Sequence, residues 1–231
     1  MKKYFFLVTL YGFFNCSFLL FGGVLGEEFG GDSRLKNGDF EIWNYNVIHG
    51  KLYKNVWLLA INNFRYDRTA SQFYHFYEHF QINWYPCSFL GIGPAYRQIF
   101  TRVDKENWIP VYYPNLNITF LLERAYLQFT DRSRIVYEMV SPSRFNAWIY
   151  RNKFKIHTIN GYTSLDMRFF AETEVFFRQR RGFEEYRFSA GMNMHVVPKI
   201  RFEMGYRFIS EKWIDSWFNK NVLLLNLKAY F

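Results

Sequence analysis

His75-Phe-Tyr-Glu-His79 has the spacing of the inverted zinc-peptidase motif H-x-x-E-H. That chemistry needs a helix, on which residues four apart share a face with the glutamate beside them. The flanks, Ser71-Gln-Phe-Tyr before and Phe80-Gln-Ile-Asn-Trp84 after, alternate as a strand does. On a strand the two imidazoles stand ~13 Å apart and Glu78 points to the opposite face. They do not share one metal ion there, so no metal site and no cofactor is expected. Ser189 and His195 fall on one face of another alternating run, and His157 precedes Thr158. Hydroxyl–imidazole pairs serve nucleophilic catalysis only within hydrogen-bond reach. Six residues of strand put Ser189 ~20 Å from His195. No arrangement of the triad type exists, and a chain without catalytic residues is expected.

The densest constellation is charged. Arg97, Arg151, Lys153, Lys155, Arg168, Arg187, Arg201 and Arg207 share a face with Glu172, Glu174, Glu185 and Glu203 when the chain is read at period two. Opposite charges on one face of a sheet closed into a narrow barrel fill the interior with ion pairs, or line a passage whose basic excess favours anions. Arg178-Gln-Arg-Arg181 is a basic loop. Its Arg178, Arg180 and Arg181 suit the phosphate groups of a glycolipid, with a solvated turn as the plainer reading.

The elements that carry these residues read as strands throughout. Aromatics are 23% of the 231 residues, with 28 Phe and 18 Tyr, yet mean hydropathy is −0.22. That combination excludes a bundle of membrane helices and excludes disorder. The net charge is +9; residues 1–26 hold Lys2, Lys3 and no acid, so removing them leaves +7. Lys2-Lys3 followed by an apolar run to Leu25, with Val24-Leu25-Gly26 ahead of Glu27-Glu28, has the pattern of a cleaved secretory signal peptide over 1–26. A basic exported chain meets anionic lipid head groups and not nucleic acid. Of the two cysteines, Cys16 and Cys87, only Cys87 survives cleavage, so no internal disulfide forms.

Residues 27–38 read as a polar, Gly-rich periplasmic lead-in, and 39–231 as the barrel. Runs at about 39–49, 55–66, 72–85, 88–100, 117–129, 132–141, 146–157, 165–177, 183–196, 199–210 and 220–231 are divided by turn residues. Strands of ~9–11 residues cross a bilayer when tilted. Facing residues must share polarity. That condition sets Glu174 opposite Arg187, Thr173 opposite Phe188 and Val175 opposite Tyr186 around Gln179–Gly182. Around a three-residue turn Val197–Lys199 it sets Met192 opposite Met204, Gly191 opposite Gly205 and Asn193 opposite Glu203. Runs 39–49, 55–66 and 117–129 change face midway, which predicts bulges or misplaced ends. The last run ends in Leu223, Leu225, Leu227, Ala229 and Phe231 on one face. This amphipathic strand resembles the final strand of bacterial outer-membrane barrels, where it is the assembly signal read by the barrel assembly machinery.

Asp39-Phe-Glu-Ile-Trp43, Glu123-Arg124, Arg132-x-Arg134, Glu172-x-Glu174-Val-Phe-Phe, Arg201-Phe-Glu-Met-Gly-Tyr206 and Asn221-Val-Leu-Leu-Leu-Asn226 together resemble the bacterial domain of unknown function 2490 family. The resemblance covers about 39–231. It departs where Ala229 stands in place of an aromatic residue two before the final Phe. It implies an exported outer-membrane barrel without an assigned activity, and supplies no catalytic residues. The expectation is therefore an all-β, antiparallel transmembrane barrel of 10–12 strands, twelve favoured because single-chain bacterial barrels have an even number. Its expected home is the bacterial outer membrane, in contact with lipid and glycolipid, and its role structural or a narrow channel. The alternatives are an outer-membrane lipid-modifying enzyme and a soluble exported β-sandwich or barrel that binds a ligand.

Overall fold

The computed structural model describes residues 38–67, 72–102, 107–140, 146–213 and 216–231. The expected signal peptide, 1–26, and nearly all of the expected lead-in, 27–38, lie outside the described residues. Eleven strands follow one another: β1 (Asp39–Tyr53), β2 (Val56–Asp67), β3 (Gln72–Cys87), β4 (Leu90–Arg102), β5 (Trp108–Arg124), β6 (Leu127–Val140), β7 (Asn146–Thr158), β8 (Arg168–Arg178), β9 (Gly182–Val197), β10 (Ile200–Trp213) and β11 (Ser216–Tyr230). Each pairs with the next in antiparallel fashion, and β1 closes the barrel on β11 in parallel. The seam runs from Asp39 opposite Lys220 to His49 opposite Tyr230. It extends to Phe231, whose N–H donates to the His49 carbonyl at 2.8 Å.

Eleven corrects the expected twelve. An odd number of alternating strands leaves the first and last running the same way, so closure is parallel, and β1 begins at the rim opposite to the one where β11 ends. The eleven runs read from the sequence match these strands one for one, and the twelfth came only from the rule of even strand number. Residues 108–124 form one strand, with Pro110 and Pro114 inside it, and the chain reverses at Ala125-Tyr126. Ala125 takes a left-handed backbone, φ 51°. Neither turn residue carries the Gly, Pro, Asn or Asp signal that marks such a reversal.

Both hairpin registers expected from polarity are present. Glu174 faces Arg187 and Val175 faces Tyr186; Met192 faces Met204 and Gly191 faces Gly205. The β9–β10 turn is nevertheless two residues, Pro198-Lys199, with Lys199 at φ 70°. A register shift between Ile200 and Arg201 adds the missing residue, so a bulge does the work expected of a longer turn. Gly191 and Gly205 face each other because the Phe170 ring lies over them: a Cβ on Gly191 would stand 2.9 Å from that ring and 2.6 Å from Gly205 Cα.

Alternation sends one residue set into the lumen and the other onto the outer wall. On β8, Glu172 and Glu174 are 6% exposed while Phe169 is 49% exposed. Strands β1 and β2 hold register with each other from Ile42 to Lys51, and the register shifts fall at strand ends, between Lys51 and Tyr53 against β2 and between Arg65 and Tyr66 against β3, so no bulge explains a change of face midway along 39–49 or 55–66. Their apparent change of face is chemical. Trp43, Val47, Leu59 and Ile61 point inward. Asn46, Asn62, Glu78 and Gln98 form one outward-facing row across β1–β4, paired rung by rung.

Candidate functional site in the barrel lumen

The lumen is built from inward residues of β7–β11 meeting those of β1–β6. Glu172 on β8 is its ionic centre. It accepts from Arg207 Nη2 at 2.7 Å and lies 2.5 Å from Lys153 Nζ, with Lys155 Nζ 3.9 Å away. One rung along, Glu174 accepts from Arg151 Nη2 at 2.8 Å, with Arg187 Nη1 at 3.7 Å. Towards the Phe231 rim, Glu203 binds Lys228 Nζ and Asn226 Nδ2, each at 2.6 Å, and Lys155 Nζ lies 3.7 Å away. Arg187 also pairs with Glu185. Cross-strand spacing explains why: β7, β8, β9 and β10 put Lys155, Glu172, Ser189 and Arg207 on successive rungs. Arg207 Nε donates to Ser189 Oγ at 2.8 Å.

An aromatic ring plugs this belt. Trp43 on β1 is 2% exposed. The Arg65 guanidinium lies 3.7 Å from its ring centroid, and those of Arg187 and Arg207 at 5.3 Å. Its indole N–H donates to Glu41 Oε2 at 2.6 Å, which also accepts from the Tyr74 hydroxyl at 2.8 Å. Cations over an aromatic face are attracted by its quadrupole, most strongly where water is excluded.

The space left is divided. A cavity of about 530 Å³ opens at the Phe231 rim. One of about 220 Å³ lies within the belt, and one of about 180 Å³ lies beyond it, lined by His75, Arg97, Tyr113, Arg134 and Arg178. Arg97 stacks over Tyr77 at 4.7 Å, and its Nε has no hydrogen-bond partner.

Of the residues expected in the charged network, Arg151, Lys153, Lys155, Glu172, Glu174, Glu185, Arg187, Glu203 and Arg207 come together through these contacts. Arg168 sits apart at the Phe231 rim, where its Nη2 meets Asp166 Oδ2 at 2.7 Å. That guanidinium holds the Asp166 carboxyl below the usual carboxylate range. Arg201 is nearby, over the Tyr230 ring at 5.4 Å. Two of the three arginines of the basic loop converge on one carboxylate: Arg178 Nε meets Glu184 Oε2 at 2.6 Å and Arg181 Nη1 lies 3.6 Å from Glu184 Oε1, while Arg178 also turns inward to Glu138 and Arg180 stays at the turn. Leu223, Leu225, Leu227 and Phe231 lie on the outer wall, opposite in face to Leu224, Asn226 and Lys228. His75 and His79 point into the lumen and Glu78 points out, as a strand requires. His75 Nδ1 lies 3.1 Å from Thr101 Oγ1 and His79 Nε2 3.2 Å from Gln81 Oε1. Among the described residues no group of three or more His, Cys, Asp or Glu stands close enough to hold a metal ion.

Sequence reasoning missed Trp43, Arg65, Arg132, Arg134, Glu138 and Lys228 as lumen residues. Arg132 and Arg134 were legible as an alternating pair. Placing the preceding turn four or more residues late broke their run at its inward face.

A family model described as "Protein of unknown function (DUF2490)" matches residues 40–217. The chain belongs to the DUF2490 family. The matched span contains β2–β10 and nearly all of β1, and with them Trp43, Glu172, Glu174 and Arg207. No curated protein matches this DUF2490 chain. No solved structure matches it either.

Proposed function

We propose that this DUF2490 protein is an outer-membrane barrel whose lumen is closed at mid-height by an ionic and aromatic plug. Its role is structural, or that of a narrow, anion-favouring channel held shut. The observation that carries the reading is the inversion of burial. Charged side chains are hidden in the lumen, whereas large apolar ones cover the outer wall, among them Ile135 at 51%, Phe154 at 40%, Phe169 at 49% and Tyr206 at 47% exposed. Apolar area on that scale is costly in water and suits lipid.

Aromatic residues gather at both rims, as interfacial girdles do. Phe73 and Trp108, and Phe183 and Trp217, meet as tilted rings 5.5 Å apart at one end; Tyr162 and Phe169 meet at 5.9 Å at the other. Four connections at the Phe231 rim are two-residue turns, which fits a periplasmic side for that rim. The basic turn Gln179–Arg181 then faces outward. Glu78 and Gln98, polar and half-buried on the outer wall, favour a second reading, a soluble exported barrel. Cell fractionation decides between them. Recovery with the outer membrane after carbonate extraction, and a folded form that migrates faster than the boiled form in detergent gels, is expected. Release by carbonate contradicts the proposal. Lipid A mass spectra with and without the gene address the enzyme alternative, for which no change is expected.

A further inference from the structure

We propose that the 530 Å³ cavity at the Phe231 rim is a binding site for an amphipathic organic anion, one carboxylate or phosphate group carrying an apolar chain. The inference does not depend on the barrel's location. The cavity falls within the roughly 300–1,000 Å³ typical of small-molecule sites, and its two walls differ. Arg132, Lys153 and Lys155 form one side; Trp57, Leu59 and Leu121 form the other. No Asp or Glu is among its lining residues.

The cationic side is incompletely neutralised. Lys153 and Lys155 share Glu172 and Glu203 with Arg207 and Lys228. Arg132 has no carboxylate within ion-pair distance among the described residues. It also stands directly opposite Lys153 across β6 and β7. Like charges so placed repel, and an oxyanion between them removes the repulsion. A guanidinium presents two parallel N–H donors to a carboxylate or phosphate. Thr119 stands directly opposite Arg132 across β5 and β6, and its hydroxyl can donate to the same group. The apolar chain then lies along Trp57 and Leu121 towards the rim, where Ser88 borders the opening. Space for it exists because Gly91 and Gly93 on β4 carry no side chain. Tyr85 and Asn83 lie across them, and a Cβ there would come within 2.8 Å of the Tyr85 ring and 2.5 Å of Asn83 Oδ1.

The test uses the folded full barrel in dilute zwitterionic detergent, a medium that suits it in or out of a membrane. The probes are 10-bromodecanoate, 10-bromodecyl phosphate and neutral 10-bromodecanol. Bromine quenches nearby indoles, and the Trp57 share is the difference between wild type and Trp57→Phe. Saturable quenching of that share by the two anions, absent with the alcohol, is expected, and the tighter anion identifies the head group. Arg132→Gln should weaken anion binding at least tenfold. Lys155→Gln serves the same purpose if Arg132→Gln does not fold. Equal quenching by the alcohol, or unchanged anion affinity in a folded variant, overturns the proposal, as does the absence of saturable quenching.

Discussion

Glu172 is the residue on which the lumen depends most. Three cations converge on it, and both it and Arg207 are almost inaccessible. Breaking a buried ion pair by removing one partner leaves the other charge uncompensated, which costs about 3–5 kcal/mol. Glu172→Gln should therefore lower unfolding free energy by about that amount, read from urea titration in detergent micelles. Arg207→Met with Glu172→Leu should cost less than the sum of the single changes, because the pair is removed together. Trp43→Ala removes a ring held by three guanidiniums and should cost about 3–5 kcal/mol. Gly191→Ala offers a contrast, since it adds one methyl where Gly205 Cα and the Phe170 ring already stand. Loss of the heat-modifiable folded form is expected for it, and normal folding would mean that the β9–β10 rung yields more than its contacts suggest.

At the scale of elements, turns and seams set which residues meet. Ala125 adopts φ 51° at the β5–β6 turn, a region that strains residues bearing a Cβ by about 1–2 kcal/mol. Ala125→Gly should stabilise the barrel by about 0.5 kcal/mol, the strain relieved less the entropy glycine loses. The loop 159–167 is tied to the barrel by Asp166, which meets both Arg168 and His195 Nδ1, the latter at 3.2 Å. The Asp166 carboxyl is depressed in the folded state. Its contribution is thus present above the ordinary carboxylate pKa and is lost as pH falls through the folded value. Amide protection in 159–167 should drop under acid before that of β8 does.

These elements also mark how far sequence could lead. The strands of β7–β11 alternate cleanly because their lumen side is charged and their outer side aromatic, so registers followed from polarity alone. In β1 and β2 the lumen side carries Trp43, Val47, Leu59 and Ile61 while asparagines face out, which inverts the expected contrast and mimics a bulge. The eleven runs were legible, but the Ala125-Tyr126 turn lacks a turn residue, which misplaced the β5–β6 boundary, and the parallel seam has no local signature, so nothing in the sequence opposed an even number. Nor was the role of Arg178, because its partner Glu138 lies on β6, two strands away.

The molecule as a whole is a barrel filled with salt bridges and wrapped in aromatic residues. In the proposed reading, the belt of Glu172, Glu174, Arg187 and Arg207 around Trp43 closes a lumen that eleven strands would otherwise leave partly open. Single-channel recording in planar bilayers tests this most directly, comparing wild type with Trp43→Gly, each confirmed folded by heat-modifiable migration. Wild type should give no discrete conductance steps, and Trp43→Gly should give small steps that carry anions in preference to cations. Stable open steps from wild type, or silence from both folded proteins, would contradict the account.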